Sequence, residues 1–363
     1  MNVKDLFKRS PIPTDWKVTT EWMNKAIQRH HPGTHVSSVD LVYRSDGTSS
    51  RARFALTYSQ GAGPKTVFAK SKGNWLRRFL HAMTGNAFIE GRLYESKVAL
   101  NIEHPTFYYG AVDQWRLNDL IVMEDVSERG AVLNDATTPL SFEAVANGLR
   151  ELAGLHSRFW NYDHKSHPQL SWVNPWKASP TFQFLLKYGC KRGTSRLLDY
   201  IPDPIIAQGP NMMVDAWTDY LGSVNEGPMT LLHGDAHVGN TYLLPDGTLG
   251  FYDWGVVRRG HWSFDVGYFI ISALSEEDRR THAKDLIAIY LDALDLPEAD
   301  RPDSEEAWWR FRCSPAYGLA IWVTTGAEDN YQLPVICQNL SKRFGSAFLE
   351  LDIRAALDER HSR

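Results

Sequence analysis

The sequence predicts an α+β fold in two lobes: a small β-sheet lobe with helices over residues 1–126, and a larger, mainly helical lobe over 127–363. Three observations lead there. Short runs alternating apolar and polar residues, punctuated by Gly, Pro, Ser and Asp, dominate the first third. Beyond Ser127 apolar residues recur every three or four positions, the helical period. Residues 229–253 then interrupt the helices with short strand-like segments around the turn Pro245-Asp246-Gly247.

Taken in order, Thr19-Thr20 caps a helix reaching about His30, with Trp22 and Ile27 on one side. VSSVDLVY (36–43) and RARFALTY (51–58) form two strands around the polar turn Ser45-Asp46-Gly47-Thr48-Ser49-Ser50. KTVFAKS (65–71) forms a third strand after Gly61-Ala62-Gly63-Pro64. A helix from about Ala87 to Leu100 is followed by strands at 106–112 and 120–126. Residues 141–160 carry Val145, Leu149, Leu152, Leu155 and Phe159 at helical spacing. TLL (230–232) is a short strand, TYLL and LGFYD form a hairpin, and 266–294 and 304–357 return to helix.

The chain has 363 residues, 43 acidic and 39 basic, a net charge of −4, and 13 Trp. This is a globular composition and excludes a disordered or fibrous chain. A near-neutral balance argues against nucleic-acid binding through bulk positive charge. The charge is uneven: residues 1–126 carry +5 and the rest −9, most of it in the run 276–306, which reads as a solvated helix and loop. Cys190, Cys313 and Cys337 are odd in number and widely spaced, so neither a disulfide framework nor a zinc knuckle is expected. The N-terminal MNVKDLFKRSPIPTDW lacks a signal peptide's apolar core, and VGYFIISAL is too short to span a membrane. A soluble cytoplasmic protein with no membrane span is the expectation.

The chemistry concentrates in LLHGDAHVGNTYLLPDGTLGFYDWG, residues 231–255. Asp235, on a loop after a strand, can orient a hydroxyl and accept its proton. Asn240 and Asp253, brought together by the hairpin, offer hard oxygen ligands suited to Mg²⁺. That set serves phosphoryl transfer to an alcohol, where positioning and charge neutralisation dominate. The pattern H-x-D-x-x-x-x-N followed by D-x-G is similar to a kinase catalytic loop and metal-binding triplet. Lys70 lies in the third strand, and Glu90 follows 20 residues later in the next helix, placed to pair with it.

On these residues the sequence resembles the aminoglycoside phosphotransferase and choline kinase superfamily of small-molecule kinases, which have a bilobal protein-kinase-like fold. The run HGDAHVGN…LLPDGTLGFYDWG carries most of the resemblance, with His-Gly-Asp where protein kinases have His-Arg-Asp. LIVMEDV matches the interlobe hinge, IEGRLYES (89–96) the paired glutamate and LAGLHSRFW (152–160) the start of the second lobe. Similarity runs from Trp22 to about Leu274, and its texture also resembles the ecdysteroid-kinase-like branch.

The resemblance implies ATP and Mg²⁺ as cofactors and a small-molecule hydroxyl as acceptor. It makes Asp235 the catalytic base, Asn240 and Asp253 the Mg²⁺ ligands, and Lys70, held by Glu90, the contact to the ATP phosphates. Ser49 and Ser50 would cover those phosphates, although G-x-G-x-x-G is absent. At the hinge the Glu124 carbonyl and Val126 N–H would meet adenine, with Met123 against the ring. Asp265 would brace the catalytic loop. His233 is read as a brace, His156 as a structural histidine, and Arg258 and Arg259 either as phosphate contacts or as surface residues.

Two other classes compete. His233, Asp235 and His237 alternate as zinc ligands of a hydrolase would on a strand. A non-catalytic nucleotide-binding kinase fold is the other, although such proteins usually lose the base, the lysine or the metal aspartate. For the acceptor, Phe159, Trp160, Trp172, Trp176, Phe182 and Phe184, with Trp308, Trp309 and Trp322, favour a bulky, partly apolar alcohol if some of them line the cleft. An aminoglycoside or amino alcohol is the alternative, and would need carboxylates or an aromatic cage.

Overall fold

Strand alternation and one amphipathic helix account for the first part of the chain. The structure is a computed structural model describing residues 12–360 apart from 14, 47–49, 73–77, 79–87 and 178. Helix α1 (Thr20–Ile27) is capped by the Thr19 hydroxyl, which accepts from Trp22 N–H. It turns Met23, Ala26 and Ile27 inward, and the Asn24 amide bonds both polar backbone groups of Val36. Strands β1 (His35–Asp46), β2 (Ser50–Gln60), β3 (Thr66–Ser71), β4 (Phe107–Asp113) and β5 (Asn118–Glu124) form one antiparallel sheet in the order β1-β2-β3-β5-β4.

Period-two alternation places Ala52, Phe54, Val67, Ala69, Leu120 and Val122 in a core shared with α1 and Trp16. The intervening β3 positions, Phe68 and Lys70, therefore face the other way, opposite Met123 and Ile121. Helix α2 (Ile89–Glu95) is shorter than the sequence suggests. After β5, Asp125 accepts from Ser127 N–H and the Thr66 hydroxyl and pairs with Arg53 at 2.7 Å. Glu128 accepts from the N–H groups of Lys65 and Thr66, so the segment after β5 is tied to the start of β3.

The chain divides into two units, 1–98 with 104–131 and 99–103 with 132–363. Residues 99–103 join the second unit because Glu103 is bound there: its carbonyl accepts from Phe251 N–H and its carboxylate from the Tyr242 hydroxyl at 2.6 Å.

The second unit is mainly helical. Strand β6 (Val132–Leu133) pairs with β8 (Thr241–Leu243), which pairs with β9 (Leu249–Phe251) across the expected turn. Helix α3 (Phe142–Arg158) starts at the Ser141 cap. It is followed by α4 (Pro180–Arg196), α5 (Asp203–Gln208) and α6 (Pro210–Val224). Strand β7 (Met229–Leu232) pairs with β10 (Arg258–His261), a strand the sequence did not suggest because Arg-Arg-Gly-His has neither alternation nor β-branching.

Helix α7 (Ser263–Ala273) is buried at every position, in keeping with its apolar sequence all round. Around it lie α8 (Glu276–Ala293), α9 (Ser304–Cys313), α10 (Pro315–Thr325), α11 (Pro334–Glu350) and α12 (Ile353–Glu359). The acidic run is not wholly solvated: Arg279 of α8 is buried and pairs with Glu350 at 2.6 Å. All three cysteines are free and buried, and burial raises their thiols. Among the described residues no helix is long and apolar enough to cross a membrane.

Candidate active site

The loop after β7 is shaped by one glycine and one buried carboxylate. Gly234 has φ +81°, and a Cβ there would lie 2.1 Å from the Val256 carbonyl oxygen, so only glycine fits. Asp265, fully buried at the start of α7, accepts from His233 N–H at 2.7 Å and Gly234 N–H at 3.0 Å. His156 of α3 reaches the same carboxylate at 3.3 Å and is set from behind by the Tyr290 hydroxyl at 2.8 Å. Asp265 and His156 thus serve the loop's architecture.

His233 is engaged at both ring nitrogens. Nε2–H donates to the Tyr252 carbonyl at 3.1 Å, Nδ1 accepts from Asp235 N–H at 3.3 Å, and the ring packs 4.5 Å from Trp254. Burial lowers its pKa, so it stays neutral. His237 uses Nδ1 to accept from Gly239 N–H at 3.0 Å, and burial lowers it to about 4. With His233 so engaged, His233, Asp235 and His237 do not make a zinc set. Among the described residues no three His, Cys, Asp or Glu side chains are grouped to hold a metal.

Asp235 keeps 29% of its side chain exposed. Asn240, at the end of the turn Val238–Asn240, donates its Nδ2 to the Asp235 backbone oxygen at 2.9 Å and to Oδ2 at 3.1 Å. That fixes the amide's orientation and leaves Oδ1 as the acceptor end. Burial and the neighbouring Asp253 charge push the Asp235 carboxyl up to about 6. Asp253 follows β9 with φ +66°, a strained setting for a non-glycine residue, between Tyr252 and the fully buried Trp254. Asn240 is thus bonded to Asp235, and the Asp253 charge acts on the same carboxylate. The oxygen set Asn240 Oδ1 and Asp253 fits Mg²⁺, which takes few protein ligands and completes its shell with water and phosphate.

In the first unit, Lys70 Nζ and Glu90 Oε2 form a buried pair at 2.8 Å. The sequence did not single out Lys72, just past the end of β3, and Asp119 on β5, both buried. The signal was period two, two lysines two positions apart in one extended run. Burial raises the pKa of Asp119, against the opposing pull of Lys72. Met123 is buried on β5, Glu124 ends that strand with its carboxylate on Arg129, and Val126 opens the following turn. Ser50 is buried at the start of β2, whereas Ser49 lies outside the described residues.

Several aromatics named from sequence are placed. Phe159 and Trp309 are core residues. Trp322 lies edge-on to His237 at 5.0 Å, and Trp176 carries Arg258 over its ring at 4.7 Å. Arg259 stands over Tyr162, so neither arginine is a simple surface residue. Phe184 is exposed on α4.

The fold is that of the bilobal kinases. A putatively described aminoglycoside phosphotransferase from Ralstonia eutropha JMP134 superposes with a TM-score of 0.56 at 14% identity, over 92% of this chain and 97% of that one. Spectinomycin phosphotransferase in complex with ADP and spectinomycin gives 0.51 at 13% identity, over 92% and 98%. The model of the phosphotransferase enzyme family matches residues 108–303, more than half of the sequence, and the chain belongs to that family. It is a small-molecule kinase. A search of curated proteins gives no match. The family match starts after Lys70 and Glu90, so the placement of that pair rests on the structure.

Proposed function

We propose that the chain transfers the γ-phosphoryl group of ATP to a hydroxyl of a bulky, partly apolar small molecule. The observation that carries this is the cluster of Asp235, Asn240 and Asp253 on a loop held by Asp265. Asp235 receives the acceptor's proton as its oxygen bonds to phosphorus and the bond to ADP breaks. Asn240 Nδ2–H keeps the carboxylate turned to that task. Asn240 Oδ1 and Asp253 would hold Mg²⁺, which would supply neutralisation of phosphate charge. Lys70, fixed by Glu90, contacts the nucleotide phosphates, and Ser49 and Ser50 cover them. The Glu124 carbonyl and Val126 N–H meet adenine, with Met123 against it. The ADP bound to the spectinomycin enzyme supports an adenine nucleotide as donor.

Trp322 against His237 of the loop, and Trp176 against Arg258, support the partly apolar acceptor. An aminoglycoside or amino alcohol is the second reading, supported by the substrate of the spectinomycin enzyme. The deciding experiment is an ADP-release screen across aminoglycosides, amino alcohols, sugars and hydroxylated lipids. Nucleotide binding with no ADP release from any of them would favour a non-catalytic role, and zinc retained in stoichiometric amount would favour a hydrolase.

A further inference from the structure

Tyr268 sits on α7 one turn beyond Asp265, the residue that holds the catalytic loop. Its ring stands edge-on to His237 at 5.9 Å and to Tyr317 at 5.1 Å, with Phe344 at 5.4 Å. His237 Nε2 in turn lies 3.8 Å from Asp235 Oδ2. Tyr268 is 1% exposed, and its hydroxyl has no hydrogen-bond partner among the described residues. The indole N–H of Trp322, next to His237, is likewise unpartnered.

Phenylalanine would make every one of those ring contacts without burying an unsatisfied O–H. What tyrosine adds is the hydroxyl, and the polar groups acting on it include the Asp235 carboxylate and the Trp322 N–H. Among the described residues Asp235 receives one side-chain donor, from Asn240, and a carboxylate accepts several. Catalytic hydrogen bonds are often long before substrate binds.

We propose that Tyr268 is a positioning residue for Asp235: in the loaded enzyme its hydroxyl donates to the carboxylate, while the Trp322 N–H donates to the phenol oxygen. Asn240 and Tyr268 together then fix the carboxylate that receives the acceptor's proton. This inference rests on Asp235 being the base.

The test compares Tyr268→Phe with the unaltered protein, using Mg²⁺-ATP with water as the acceptor. Turnover is expected to fall about 5- to 50-fold with the nucleotide KM within about twofold. The melting temperature should hold or rise, because an unsatisfied buried hydroxyl is removed. Unchanged turnover, or a loss of turnover matched by a lower melting temperature, overturns the proposal. Where turnover with water is too slow to follow, a double-mutant cycle of Tyr268→Phe and Asp235→Asn in denaturant with saturating Mg²⁺-ATP decides. A coupling of about threefold or more in the unfolding equilibrium of the nucleotide-loaded protein is expected, and additivity there overturns the proposal. Full turnover in Asp235→Asn sinks the base assignment itself, whereas an inactive Asp235→Asn beside an unaffected Tyr268→Phe sinks the role of Tyr268 alone.

Discussion

Asn240 donates its side-chain nitrogen to both the backbone oxygen and the carboxylate of Asp235, at 2.9 and 3.1 Å. One amide thus orients the carboxylate proposed as the base and leaves its own oxygen free to accept. Asp235→Asn keeps the shape of this arrangement and removes the proton acceptor. It should lower kcat by roughly 10² or more with nucleotide affinity retained. ADP release paired with calorimetric nucleotide titration checks both halves, and near-full activity would refute the assignment.

The pair Lys70–Glu90 is buried at both ends. Glu90→Ala leaves the Lys70 ammonium in a poorly solvated place. The expected cost is about 3–5 kcal/mol of stability, the usual range when one partner of a buried pair is removed. Denaturant unfolding measures it, and a nucleotide titration under folding conditions should show weaker binding. A stability change below 1 kcal/mol, on the order of a surface pair, would mean that the pair is solvated.

Gly234 is constrained by both its φ of +81° and the Val256 carbonyl. Gly234→Ala should destabilise by roughly 2 kcal/mol or more, since backbone has to move. Its effect on kcat should exceed its effect on nucleotide KM, because the distortion falls on the loop bearing Asp235. Thermal melting and steady-state kinetics on the same preparation separate the two.

His261 is buried on β10, where Nδ1 bonds the Ser263 hydroxyl at 2.9 Å. Burial, then the charges of Arg310 and His156, holds its pKa well below the usual value. The folded protein therefore keeps it neutral while the unfolded chain protonates it near pH 6.5. Its contribution is present above that pH and is lost as pH falls, by up to about 1.4 kcal/mol per unit. His261→Asn, which keeps an acceptor for Ser263, should flatten the fall of stability between pH 6.5 and 5. Parallel curves for variant and parent would show that His261 titrates normally.

The order of elements was legible because turn residues and periodicity mark it: Pro245-Asp246-Gly247 lies between β8 and β9, and Ser141 caps α3. The hydrogen-bonded pair Asp235 and Asn240 was legible as a candidate because its spacing is local. Strand β10 was not, since its pairing with β7 is decided by a partner 26 or more residues away. Tyr268 was invisible as a functional residue for the same reason. A tyrosine in an apolar helix reads as core, and only packing brings its ring against His237. The burial of Lys72 and Asp119 likewise depends on a sheet face that sequence alone does not close.

The grip of Asp265 on His233 and Gly234 has a consequence for timescales. Loop amides ordinarily exchange their hydrogens with solvent quickly, because loops open locally without the rest of the fold. Here two of them are bonded to a carboxylate that has no exposure and that His156 also holds. Freeing those amides requires α7 to leave the core, so they should exchange as slowly as the helix does. The loop proposed to carry the chemistry would then behave in kinetic terms as part of the buried helix that holds it.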